Sequence, residues 1–151
     1  MGQKGEGAPV KIMGLDFGTK RIGVAMSDEM FLMAHSVNYI ARKDPGRDFE
    51  TINHLVRENS ICEIVVGLPL NMNGTYSQKT KEAVEFADDL AKAVSIPVKT
   101  WDERLTSVQA ERALLEADMS RGKRRQLSDK LAAQFILQSY LDSRKKDNKN
   151  A

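Results

Sequence analysis

One cysteine, two histidines, four prolines and one tryptophan are all that 151 residues hold of those types, and each shortage excludes something. The lone Cys62 can form neither an internal disulfide framework nor a thiolate cluster for zinc, which points to a reducing cytosol. Flanked by Ile61 and just ahead of an apolar run, it reads as inert packing. His35 and His54 stand in no acid–base motif and read as structural or surface residues. No apolar stretch approaches the roughly 18 residues of a membrane span. The opening Met-Gly-Gln-Lys-Gly-Glu-Gly has no apolar targeting core, and Glu6 stands where a myristoylation pattern has Ser or Thr. A cytoplasmic chain with no membrane association is the expectation.

An excess of one charge is also lacking, since 23 Lys and Arg face 21 Asp and Glu. The basic residues are nevertheless clustered, as RGKRR at 121–125 and RKKDNK at 144–149. Such clusters can neutralise phosphates, or can be a solvated loop and a soluble tail. What the chain does have is apolar content, 41% of residues, enough for one core in a domain of this length.

Residues 1–9 are without pattern and read as a flexible leader, 10–144 as a single domain and 145–151 as a flexible basic tail. VKIMGLD at 10–16, RIGVAMS at 21–27 and the stretch 34–40 read as three strands, the first two joined by the tight turn FGTK. Phe49, Ile52, Leu55 and Val56 recur at helical spacing and predict a helix over about 47–59. EIVVG at 63–67 is a buried strand of parallel-sheet type, followed by the turn-rich loop LPLNMNGTYS at 68–77. A helix over about 77–93, a strand at 97–101, and helices near 107–117 and 128–144 complete the order β-β-β-α-β-α-β-α-α. An antiparallel meander followed by βα units gives a mixed α/β sheet with helices on both faces.

Three acidic positions gain interest from their place in this order. Asp16 closes the first strand, Asp102 and Glu103 close the last, and Asp129 falls in the first turn of the last predicted helix. Ligands of open α/β sheets bind outside the carboxyl ends of strands, where separated acids can converge. Singly, each has an ordinary explanation: Asp16 as a turn former, Asp129 as an acid favoured by the helix dipole, Glu103 as a surface ion-pair partner. Together, in a chain almost without His and Cys, they point to hard, oxygen-ligated divalent ions such as Mg²⁺ or Mn²⁺. Alternation along PVKTWDER puts Lys99, Trp101 and Glu103 on one face and Val98, Thr100 and Asp102 on the other. Only one of Asp102 and Glu103 can therefore point into a common site, and periodicity does not choose between them.

Four segments, GLDFGTKRIGVAMSD at 14–28, VVGLPLNMNGT at 65–75, DERLTS at 102–107 and SDKLAAQFILQSYLD at 128–142, resemble the YqgF/RuvX family. That family is described as Holliday junction resolvases or pre-16S ribosomal RNA nucleases. The resemblance implies a ribonuclease H-like fold with a five-stranded mixed sheet whose first three strands are antiparallel. It also implies that Asp16, Glu103 and Asp129 form a metal-binding catalytic triad, which favours Glu103 over Asp102. Asn73 departs from the pattern, since many relatives carry Asp there.

The expected activity is metal-dependent phosphodiester hydrolysis, with two ions about 4 Å apart activating water and stabilising the leaving oxygen. Lys20, Arg21, Arg104 and Arg124, with Asn71 and Asn73 of the turn-rich loop, are the candidate substrate-binding residues. Thr106 and Ser107 read as helix caps, and Trp101 as a core residue rather than a base-stacking one. The expected substrate is pre-16S rRNA at its 5′ end, with the small ribosomal subunit as partner; the alternative is a branched DNA junction cut by a homodimer rather than a monomer. DFGTK at 16–20 also resembles the phosphate loop of actin-like and sugar-kinase ATPases, but those need a second lobe, and 151 residues contain one copy. A non-catalytic nucleic-acid or ribosome-assembly module is the other rival. Clustered acids beside phosphates argue against it.

Overall fold

The computed structural model describes residues 10–105 and 121–150, with side chains for 10–104 and 131–145. Five strands, β1 (Lys11–Phe17), β2 (Arg21–Ser27), β3 (Ala34–Ala41), β4 (Ile61–Leu68) and β5 (Val98–Asp102), form one sheet in the order β3-β2-β1-β4-β5. Pairing is antiparallel for β1 with β2 and β2 with β3, and parallel for β1 with β4 and β4 with β5. The meander followed by parallel units is thus as the sequence pattern predicts. Helices α1 (Pro45–Glu58) and α2 (Gln78–Ala93) lie on one face and α3 (Arg121–Asn150) on the other.

Coverage of both faces explains why β1, β2 and β4 read as unbroken apolar runs rather than alternating ones. Met13, Leu15, Ile22, Val24, Ile64 and Val66 pack against Ile52 and Val56 of α1 and Phe86 and Leu90 of α2. Their sheet neighbours Ile12, Ala25 and Val65 point the other way, onto Ala132, Ala133, Ile136, Leu137 and Leu141 of α3. Gly14 sits where α3 comes closest: a Cβ there would lie 2.7 Å from Leu137 Cβ and 3.1 Å from the Ala133 carbonyl oxygen. At the far end of α3 the Tyr140 hydroxyl donates to Glu63 of β4, and Lys99 of β5 completes the group, 3.1 Å from the Glu63 carboxylate.

Helix starts follow local chemistry. Asp44 caps α1 by accepting from the Arg47 N–H at 2.9 Å, with Pro45 at the first helical position. Ser77 and Thr80 form a capping box on α2, and the Thr80 hydroxyl also donates to the Pro69 carbonyl at 2.6 Å. The loop after β4 is thereby tied to the first turn of α2.

Two expectations about the C-terminal region change. Helix α3 begins at Arg121 and runs to Asn150, so RGKRR at 121–125 is helical rather than a loop, and 145–150 continue the helix rather than forming a tail. Lys, Arg, Gln and Leu are strong helix formers, and a helix anchored by the buried 132–141 stripe extends at little cost in both directions, Gly122 notwithstanding. The helix expected near 107–117, like the leader 1–9 and the caps expected at Thr106 and Ser107, lies outside the described residues. Among the described residues, no helix is long and apolar enough to cross a membrane.

Candidate active site at the carboxyl ends of the strands

Asp16 is the penultimate residue of β1, opposite Gly23 of β2, and is 5% exposed. It shares the α3 side of the sheet with Ile12 and Gly14, four and two residues before it. Glu103 follows β5 directly, opens a short 3-10 turn (Glu103–Leu105) and is 1% exposed. Its Cγ would lie 3.3 Å from a Cβ at Gly67, which Ile136 of α3 also covers, so Glu103 is on the α3 side as well. Strand β4 runs between β1 and β5, and at Gly67 it contributes no side chain. Two carboxylates brought from strands 87 positions apart in sequence are therefore buried on one face, at one end of the sheet.

Asp102 belongs elsewhere. Trp101 lies on the α3 side, its indole N–H donating to Ser139 at 3.0 Å and its ring edge-on to Tyr140, while Val98 packs on the α1/α2 side. The Asp102 carboxylate accepts from the Arg104 backbone N–H at 2.9 Å and from Nη2 at 2.7 Å and Nε at 3.1 Å. These bonds from Arg104 hold its carboxyl below the usual aspartate range. Of the two adjacent acids, Glu103 is the one that joins Asp16. The core reading of Trp101 agrees with these contacts.

Arg104 reaches further: its Nη1 donates to the Met72 carbonyl at 3.2 Å, which braces the loop between β4 and α2. Within that loop Asn71 Nδ2 donates to the Thr75 hydroxyl at 2.9 Å. Asn73 Oδ1 accepts from the Thr75 N–H at 3.0 Å and from its hydroxyl at 2.6 Å. Gly74, at φ +86°, provides the left-handed residue that the tight turn requires. Asn71, Asn73 and Arg104 are thus engaged in shaping the loop. The loop also exposes the large side chains of Met72 and Tyr76, at 76% and 53%. The sequence reading did not single these two out; their signal was an apolar and an aromatic residue within an otherwise polar turn.

Lys20 is exposed in the β1–β2 turn, which the Gly18 N–H closes onto the Arg21 carbonyl at 2.8 Å. The Arg21 guanidinium lies 5.2 Å from the Tyr39 ring centroid. His54 is on the surface beside Glu58, and His35 is exposed. Cys62 is half-buried, and burial pushes its thiol pKa up. Asp129 and Arg124 lie on α3; Asp129 is one turn ahead of Ala133, the residue that meets Gly14. Their side chains fall outside the described residues, within which no group of three His, Cys, Asp or Glu ligands occurs.

The sheet order and the helices on its two faces define a protein of the ribonuclease H-like fold class. The same fold is found in RuvC from Thermus thermophilus, with a TM-score of 0.54 at 15% identity over 90% of this chain and 96% of that one. For T. thermophilus RuvC in complex with Holliday junction substrate the TM-score is 0.53 at 18% identity, over 89% and 95%. Residues 10–143 match the family model described as "RuvX: Holliday junction resolvase", and the chain belongs to that family. A relative from Pelotomaculum thermopropionicum is 49% identical over 143 residues, 94% of this chain and 93% of its own length. One from Syntrophomonas wolfei is 52% identical over 133 residues, 88% and 94%. Both carry the name "Putative pre-16S rRNA nuclease".

Proposed function

We propose that this nuclease is a cytoplasmic, divalent-metal-dependent endonuclease that matures the 5′ end of pre-16S rRNA, with Asp16, Glu103 and Asp129 as metal ligands. One observation carries the reading: Asp16 and Glu103 are both buried on the α3 side of the sheet, at the carboxyl ends of different strands. Two carboxylates withdrawn from water toward one site are stable as anions when a cation offsets their repulsion. Their all-oxygen character fits Mg²⁺ or Mn²⁺. When bound, such ions supply an activated water and charge stabilisation for the leaving oxygen.

The chain's own residues do the positioning. Asp16 and Glu103 hold negative charge fixed against the sheet, and Asp129, one turn before the helix contact at Gly14, is the third ligand. Lys20, Arg21 and Arg124 engage the substrate backbone. Asn71, Asn73 and Arg104 act by holding the 69–77 loop in shape at the mouth of the site. The precursor rRNA reading follows the names of the relatives, and it makes the assembling small ribosomal subunit the natural partner for a monomer. The family description and the RuvC fold favour a second reading, a four-way DNA junction, for which two coordinated cuts require a homodimer.

Cleavage of a precursor 16S RNA fragment and of a four-way DNA junction, in Mg²⁺ and in Mn²⁺, separates the two. RNA cleavage that Asp16→Asn and Glu103→Gln abolish, with both variants folded, is the expected result. Symmetric nicking of the junction by a dimer transfers the assignment to the second reading. Full activity in either variant refutes the triad.

A further inference from the structure

On the sheet face opposite the acids, α1 and α2 diverge and leave a cavity of about 340 Å³, at the lower end of the usual range for small-ligand sites. Three aromatic rings line it. Phe17 and Phe86 are stacked at 4.3 Å, and Phe49 stands 5.9 Å from Phe86. Four carboxylates surround the rings. Glu82, Glu85 and Asp89 recur at helical spacing along α2, and Asp48 enters from α1.

The α2 acids stand at helical spacing from one another and from Lys79, Lys81 and Lys92. Like charges at i,i+3 and i,i+4 destabilise a helix, and among the described residues none of the four acids makes an ion pair. Asp48 is the sharpest case, at 6% exposure. Its Oδ1 accepts from the Lys43 backbone N–H at 3.0 Å and it stands in the first turn of α1, where the helix dipole favours a negative charge; among the described residues no cationic side chain pairs with it. A carboxylate nine-tenths buried beside a cavity keeps acceptor capacity for a positive group beyond its one backbone N–H. Among the described residues the one basic side chain lining the cavity is Arg42, and it makes no ion pair with Asp48. Arg42 Nη1 is turned to the Gly18 and Thr19 carbonyls at 2.9 and 2.8 Å, and its guanidinium carbon lies over Phe17, 4.2 Å from the ring centroid. That contact also displays what the aromatic lining accepts: a planar, weakly hydrated cation over a ring face.

We propose that this cavity is a recognition site for a guanidinium group, presented by an arginine of a basic polypeptide segment. With Phe17 already engaged by Phe86 and Arg42, the Phe49 and Phe86 rings supply the aromatic wall, Asp48 a buried acceptor, and the α2 carboxylates the surrounding negative field. Phe17 directly follows Asp16 in β1, on the other side of the sheet, so the site is separate from the proposed catalytic one and does not depend on that assignment.

The test is a titration of the full chain, followed by NMR of the Phe17, Phe49 and Phe86 rings. The probes are Nα-acetyl-argininamide, its neutral isostere Nα-acetyl-citrullinamide, spermidine, and a short arginine-containing basic peptide. A single side chain should bind with Kd of about 1 mM, and the peptide more tightly. The triple variant Glu82→Gln/Glu85→Gln/Asp89→Asn, at exposed positions, should fold normally and bind about tenfold more weakly, the product of three modest charge contributions. Asp48→Asn, which keeps the acceptor for Lys43, should weaken it further. Equal binding of the citrulline probe, binding unchanged in the triple variant, or no ring shifts with argininamide overturns the proposal. Spermidine binding as tightly as argininamide overturns the guanidinium assignment in favour of a polyamine.

Discussion

Alanine substitution at two glycines should give effects in the reverse order of their apparent clashes. A Cβ at Gly67 would lie 2.4 Å from Ile136 Cδ1, and one at Gly14 would lie 2.7 Å from Leu137 Cβ. The longer contact is the costlier one. Ile136 Cδ1 is the end of a flexible side chain and can rotate away, whereas Leu137 Cβ and the Ala133 carbonyl, 3.1 Å from the same point, move only with the helix. Carbon atoms prefer about 3.5–4.0 Å, so Gly14→Ala must lift α3 by about 1 Å. Overpacking of this kind costs about 1–3 kcal/mol. The loss of glycine's freedom in the unfolded chain returns about 0.4–1 kcal/mol. A net loss of about 1–2 kcal/mol lowers the Tm by about 2–8 °C in a domain of this size. For Gly67→Ala the two contributions nearly cancel in stability. Glu103 Cγ, however, lies 3.3 Å from the new methyl and must give way, so cleavage falls more than stability does. Thermal unfolding by circular dichroism, with cleavage assays alongside, checks both variants. A Gly14→Ala protein as stable as wild type, or less affected than Gly67→Ala, refutes the view that helix backbone and not side-chain tips sets the sheet-to-α3 distance.

Other outcomes follow from single groups. Asp16→Asn, which changes almost no volume, should keep the wild-type Tm in metal-free buffer while cleavage falls at least as far as the roughly 10–100-fold seen on losing a mere outer-shell partner of a metal; a metal titration of Tm should lose its slope in the same variant. Ser27→Ala removes the hydroxyl that accepts from the buried Ile12 N–H at 2.8 Å, leaving that N–H without its acceptor, and should cost about 1–3 kcal/mol in urea unfolding. The Asp102 carboxyl is held low by Arg104, so its contribution to stability is complete above the ordinary aspartate pKa and is lost as pH falls through its lower folded value. In Arg104→Ala the Asp102 carboxyl should titrate higher by carbon NMR and the acid-side dependence of stability should shrink; an unmoved titration refutes the ion pair as its cause.

Much of this molecule was legible from local pattern. Apolar runs at 10–16 and 63–67 and helical spacing through Phe49 and Val56 mark their elements because backbone preference and side-chain period are properties of neighbouring residues. The strand order followed from them, and with it the two strand ends that carry acids. The resemblance to a known family added a triad that the residues alone had left open between Asp102 and Glu103.

Contacts between distant segments were not legible in this way. Glu103 is distinguished from Asp102 by its place beside Gly67, 36 positions away, on the α3 side of the sheet, and by an arginine two residues on that occupies the Asp102 carboxylate. Arg104 read as a phosphate ligand because its charge was visible and its partners, Asp102 and the Met72 carbonyl, were not. The reach of α3 from 121 to 150 came from anchoring on the sheet, which outweighs a glycine and a run of like charges. The acids of α2 face a cavity only because Asp48 and three phenylalanines are brought against them. Sequence by itself determined the elements, their order and the types of group available, because those depend on residues close along the chain. Tertiary structure decided which of those groups are buried, paired or facing a cavity, because that depends on what packing brings within a few ångströms.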